Sequence, residues 1–116
     1  MATSNKTITL VFTGPPAGTQ TITAAENTAA PNSIEIKTLA SGFNTITVPT
    51  GGSTVTSCTI VPPAGNTTNI TLKGVTGDTG IQLHDTDPSS VSLDASVTSF
   101  GLTAAAQITG VRLYWS

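Results

Sequence analysis

The sequence predicts one all-β domain, an antiparallel β-sandwich of the plain or jelly-roll kind, and three observations predict it. Apolar residues recur at every second position in short runs, the period of a half-buried strand, and no window keeps helical spacing for long. Threonine alone supplies about a fifth of the chain, and β-branched side chains fit a pleated surface better than a helix. Clusters of Gly, Pro, Asn and Asp interrupt the runs at intervals of roughly eight to twelve residues, the rhythm of sandwiches and small barrels. A length of 116 residues suits one domain with a modest core.

Ten runs qualify as strands, and their order reads directly from the chain. They are "KTITLVF" (6–12), "TQTITA" (19–24), "SIEIKTL" (33–39), "FNTITVP" (43–49), "STVTSCTIV" (53–61), "TNITLKG" (68–74), "GIQLHD" (80–85), "SVSLD" (90–94), "SFGLT" (99–103) and "ITGVRLYW" (108–115). Residues 1–5 form a polar N-terminal arm ahead of a domain spanning 6–116. "ITAAENTAAP" (22–31) is the nearest approach to a helix. Pro31 ends it, so it reads as a loop or a single turn. The tetrapeptide "PPAG" occurs twice, at Pro15–Gly18 and Pro62–Gly65, each time between Thr-rich runs. Both copies read as hairpin loops stiffened by a proline pair that resists edge pairing.

Charge and cysteine content narrow the function classes. The formal net charge is −2, and the four cations Lys6, Lys37, Lys73 and Arg112 are dispersed. Nucleic-acid binding, which needs clustered Lys or Arg to neutralise phosphates, is therefore not expected. Cys58 is the chain's single cysteine. It excludes an intrachain disulfide and reads as a small buried hydrophobe. The opening "MATSNKTITLVF" lacks a basic segment followed by an apolar one, which predicts cytoplasmic synthesis without a leader, and the apolar runs are too short for a membrane helix. Sequons at Asn5, Asn66 and Asn69 are expected to stay unmodified for the same reason. Sparse charge also leaves little repulsion between copies, as an assembly subunit requires.

The stretch "KGVTGDTGIQLHDTDP" (73–88) concentrates ionisable residues, holding His84 and three of the four aspartates, Asp78, Asp85 and Asp87. A helix–loop–helix calcium site needs Gly at its sixth position and an acid at its twelfth. Counting from Asp78 gives Leu83 and Ser89, and counting from Asp85 gives Ser90 and Ser96. Both registers fail. His84 and Cys58 alone are too few ligands for structural zinc. An irregular calcium site at Asp85 and Asp87 with backbone carbonyls is the alternative. The expected reading is two turns bracketing a strand: Gly77–Gly80 as a tight turn in which Asp78 bonds the backbone two residues on, and "DTDP" as Asx-turns. Ile81 and Leu83 then point inward, and Gln82 and His84 outward. Catalysis is not expected, because His84 is the single candidate base and no nucleophile motif accompanies it. Six acids and five aromatics are also lean for a glycosidase cleft.

At the C-terminal end Val111, Leu113 and Trp115 alternate with Arg112 and Tyr114. Such a strand is pinned in a sheet with one face in the core. Trp115 is either a core anchor or, with Arg112 and Tyr114, part of an interface, since these residue types are enriched at binding hot spots.

From "TLKGVTGDTGIQLHDTDPSSVSLDASV" onward to "ITGVRLYWS", Thr71 to Ser116, the chain resembles small structural proteins of tailed-bacteriophage virions. The Gly-Asp-Thr-Gly turn, the His-Asp-Thr-Asp-Pro turn and a closing strand of the form Val-Arg-Leu-x-Trp carry the resemblance. It implies a β-sandwich that serves as a capsid cement or decoration protein, and it carries over no catalytic, cofactor or metal-binding residues. The implied partners are the major capsid protein and further copies of the chain itself, as a homotrimer on the virion surface, without nucleic acid or membrane. A tail, baseplate or adhesin-type carbohydrate-binding domain is the alternative. The absence of Gly-x-y or heptad repeats favours a compact head protein over a fibre. The residues expected to make contacts are the arm Met1, Ala2, Thr3, Ser4, Asn5 and Lys6, the loop prolines Pro15, Pro16, Pro62 and Pro63, and Arg112, Tyr114 and Trp115.

Overall fold

A computed structural model describes residues 7–12, 18–23, 33–49 and 55–116. The expected arm Met1 to Lys6, the loop prolines Pro15 and Pro16 and, of the loop or turn expected at 22–31, residues 24–31 lie outside the described residues, while Ile22 and Thr23 belong to a strand. All ten expected strands are present: β1 (Thr7–Phe12), β2 (Gly18–Thr23), β3 (Ser33–Leu39), β4 (Gly42–Thr47), β5 (Ser57–Val61), β6 (Ile70–Lys73), β7 (Ile81–Gln82), β8 (Ser89–Ser92), β9 (Ser99–Ala104) and β10 (Ile108–Trp115). β1 and β2 form their own antiparallel hairpin, in register from Thr7↔Thr23 to Phe12↔Gly18.

The other eight strands make two antiparallel four-stranded sheets, ordered β3-β10-β5-β8 and β4-β9-β6-β7. Numbered from the first of the eight, these orders are 1-8-3-6 and 2-7-4-5. Consecutive strands switch sheets at every step except β6 to β7. That connectivity is the jelly roll, in which the chain winds its strands as a pair of Greek keys. The second "PPAG" is therefore no hairpin loop. Pro62–Gly65 carries the chain from β5 in one sheet to β6 in the other, whereas the first copy falls between two strands that do pair.

The core lies between the sheets and follows the strand alternation. β10 sends Val111, Leu113 and Trp115 inward, β5 sends Cys58 and Ile60, and β9 sends Phe100, Leu102 and Ala104, all buried. Phe100 and Trp115 pack across the sandwich in a tilted pair with centroids 6.1 Å apart, within the favourable range for aromatic contact. Gly101 is the exception that permits a neighbour. It faces outward on β9, and a Cβ there would run into the Phe43 ring lying over it.

One irregularity sets the faces of the β3-β10 pair. Ile108 sits opposite Leu39 and Val111 opposite Lys37, so β10 uses three steps where β3 uses two. Gly110 absorbs the extra residue at φ +85°, a conformation that L side chains resist and Gly adopts freely. The bulge lets Ile108 and the later trio Val111, Leu113 and Trp115 all reach the core. β3 has no matching bulge, so its own alternation runs straight through.

Candidate binding surface

Because β3 keeps its parity from Leu39 inward, Lys37 and Glu35 share the inner side with Leu39, and Ile36 and Ile34 face out. The inner charges are accommodated at the rim. Lys37 Nζ pairs with Glu35 Oε1 at 3.2 Å, and Trp115 Nε1 donates to Glu35 Oε2 at 3.2 Å. The isoleucines are left 62% and 69% exposed. Burying an isoleucine side chain is worth about 1.5–3 kcal/mol, so the isolated fold forgoes that gain twice on one strand.

The registers extend this patch across the sheet. Ile36, Arg112 and Val61 form one row, and Ile34, Tyr114, Thr59 and Ser90 form the next. Tyr114 and Val61 are half-buried and Arg112 is exposed. The face thus combines aliphatic, aromatic and hydroxyl groups around one guanidinium. Of the C-terminal residues expected at an interface, Arg112 and Tyr114 are on it. Trp115 is not: it points the other way, 2% exposed, and its indole N–H is already engaged by Glu35. Ile34 and Ile36 were not among the expected contact residues. The signal available was the parity break in "SIEIKTL", where the spacing from Ile36 to Leu39 is odd and all three residues cannot share a face.

Pro62 is buried and Pro63 half-buried, so the crossover loop is anchored by its own prolines. Asn66 N–H donates to Pro63 O at 3.1 Å and Gly65 adopts φ +72°, which closes a tight turn. The Asn66 side chain then donates to Thr68 O and, across the end of the sandwich, to Asp85 O at 2.8 Å. Ala64 and Gly65 are exposed at the tip of this hydrogen-bonded loop.

The ionisable stretch folds as turn, strand and turn, but the first turn closes between Val75 and Asp78, whose N–H donates to Val75 O at 3.1 Å, and not at Gly77–Gly80, and the strand is Ile81–Gln82 alone. Asp78 reaches back rather than forward, its Oδ2 accepting from Gly74 and Val75 N–H at 3.0 Å each. The second turn is organised by the imidazole and not by the aspartates. His84 Nδ1 accepts from Asp87 N–H at 2.9 Å and Thr86 N–H at 3.2 Å. Asp85 and Asp87 flank the ring at 3.5 and 3.8 Å. Among the described residues no three His, Cys, Asp or Glu side chains converge as a metal site would require.

Ile81 also differs from expectation. It pairs with Leu72 on the inner side yet is 66% exposed, because β7 has two residues and stands at the sheet edge, where the sandwich gapes. An open cleft of about 590 Å³ lies there between Leu72, Ile81, Val91, Leu93 and Phe100. Leu83 does pack on the core, and its N–H donates to Ile70 O.

Cys58 is fully buried beside Trp115 in the register. Burial, with the negative charge of Glu35 adding to it, pushes its thiol up to about 12, so it is inert at neutral pH. The jelly roll stands on strand order and register alone, since no family model, no curated protein and no solved structure matches the chain.

Proposed function

We propose that this protein is a virion structural protein of the capsid cement or decoration type, which binds the assembled head shell in many copies and reinforces it. The observation that carries a protein-binding role is the β3-β10-β5 outer face, where Ile34 and Ile36 stand uncovered on the sheet. Contiguous exposed apolar surface of this kind belongs to interaction sites. The shell as partner comes from the resemblance of Thr71 to Ser116, and the jelly roll, a fold used by capsid proteins, lectins and cupins alike, agrees with it by analogy only. On this reading the arm Met1 to Lys6, the loop at Pro15–Pro16 and the second loop through half-buried Pro63 and its exposed tip Ala64–Gly65 touch the shell, Pro62 being buried and withdrawn from contact, and copies associate as a homotrimer. Repetition over a closed lattice converts a weak single contact into high avidity. The carbohydrate-binding alternative loses its best platform residue, because Trp115 lies in the core.

Purified protein mixed with empty head shells should pellet with them to a saturating stoichiometry and raise the temperature at which the shells rupture. Protein that stays in the supernatant at every ratio, with shell rupture unchanged, would refute the proposal.

A further inference from the structure

We infer that the outer face of β3, β10 and β5 is covered by a second copy of this chain, whose His84–Pro88 loop sets Asp85 and Asp87 against Arg112. The inference deepens the many-copy assembly proposed above, and rests on it for biological purpose. Its physical grounds are separate.

The first ground is the conflict within β3. A strand that turns Ile34 and Ile36 to solvent while Glu35 and Lys37 face the core side contradicts its own binary pattern. Such local conflicts mark functional positions, and covering the isoleucines removes this one. The second ground is the manner of covering. β3 is a sheet edge, and inward-directed charges beside an edge oppose strand-to-strand addition. Association therefore runs through the face.

Charge selects the occupant. Arg112 is the one charged residue in the two rows that make the face, and it forms no ion pair among the described residues. A two-fold copy laying the same face on itself would offer Arg112 no acid, because neither row holds one. Among the described residues the complementary charges lie elsewhere on the molecule, since Glu35 is paired with Lys37. Asp78 is occupied by the N–H groups of Gly74 and Val75, and Asp94 by Ser96. The carboxylates of Asp85 and Asp87 are 44% and 76% exposed and border His84 at the tip of a loop that Asn66 holds in place. That loop leads into β8, the edge opposite β3 in the same sheet. Each copy thus carries the two halves of the contact on opposite sides. Such a contact is head-to-tail, and it closes into a ring when the rotation between copies permits.

The test uses the full chain without shells, by sedimentation velocity over a concentration series, with folding checked by circular dichroism. The wild type should associate reversibly. Ile36→Asp, or Ile36→Ser should the aspartate impair folding, should shift it to monomer. Arg112→Glu and Asp87→Arg should each weaken association about tenfold or more, and the double exchange should restore it. A wild type that remains monomeric throughout, or association untouched by Ile36→Asp, overturns the inference. Association lost in Ile36→Asp but not recovered in the double exchange overturns the loop as occupant. A monomeric Ile36→Asp variant that still pellets with shells would separate this contact from shell binding.

Discussion

Cys58 shows how much a single side chain records about its surroundings. Its thiol sits between β10 and β8, opposite Trp115 and Val91, and its pKa moves from 9.0 to about 12 through burial first and Glu35 second. A folded-state value above the unfolded one means that the native protein holds the proton more tightly. The associated stability is complete below about pH 9 and declines as pH rises toward 12. Alkylation by iodoacetamide at pH 8 should therefore be negligible in native protein and complete in urea. Rapid native labelling, followed by mass spectrometry, would show that the core around Trp115 opens. Asp94 carries the opposite sign, since the Ser96 hydroxyl and then its N–H lower its pKa. That contribution is present above the usual carboxylate range and fades as pH falls.

Elements were easier to locate than to assign to neighbours. The ten strands stand close to where alternation and turn residues put them, because both are local signals. Pairing is not local. "PPAG" at Pro62–Gly65 looks like the first copy in composition, yet it crosses between sheets, and the partners of β5 are β10 and β8. The same limit hid the exposed isoleucine face. Arg112 and Tyr114 were legible as outward residues of a terminal strand, while Ile34 and Ile36 became a patch only when β3 was laid beside β10 with the Gly110 bulge between them. That bulge is open to a direct test. The space around Gly110 is nearly empty, with Pro63 Cβ at 4.0 Å from where a Cβ would stand, so a side chain there meets backbone strain rather than collision. Gly110→Ala should cost about 1–2 kcal/mol, read as a lower urea midpoint at unchanged m-value, and Gly110→Asn should cost less because Asn tolerates positive φ. Equal midpoints for Gly and Ala would mean that the bulge does not hold β10 in register.

At the scale of the whole molecule, the jelly roll brings its first and last strands together. β3 enters the sandwich at Ser33, which pairs with Trp115 near the chain's final residue, and Ser116 is tied to Ser57 by backbone bonds in both directions and by a hydroxyl contact of 2.6 Å. This adjacency has a mechanical meaning. A load drawn through the β1–β2 hairpin side and resisted at the C-terminal end would meet the β3-β10 ladder at its outermost rung. The hydrogen bonds would then break one after another, as in a zipper, instead of together in shear. Pulling between residue 33 and residue 116 in an optical trap should peel β3 at low force before the rest of the sandwich yields, and a single high-force rupture would contradict this. Attachment through the Pro62–Gly65 crossover would spare that ladder, so the choice of anchoring point, more than the strength of the core, decides how much tension one copy can bear.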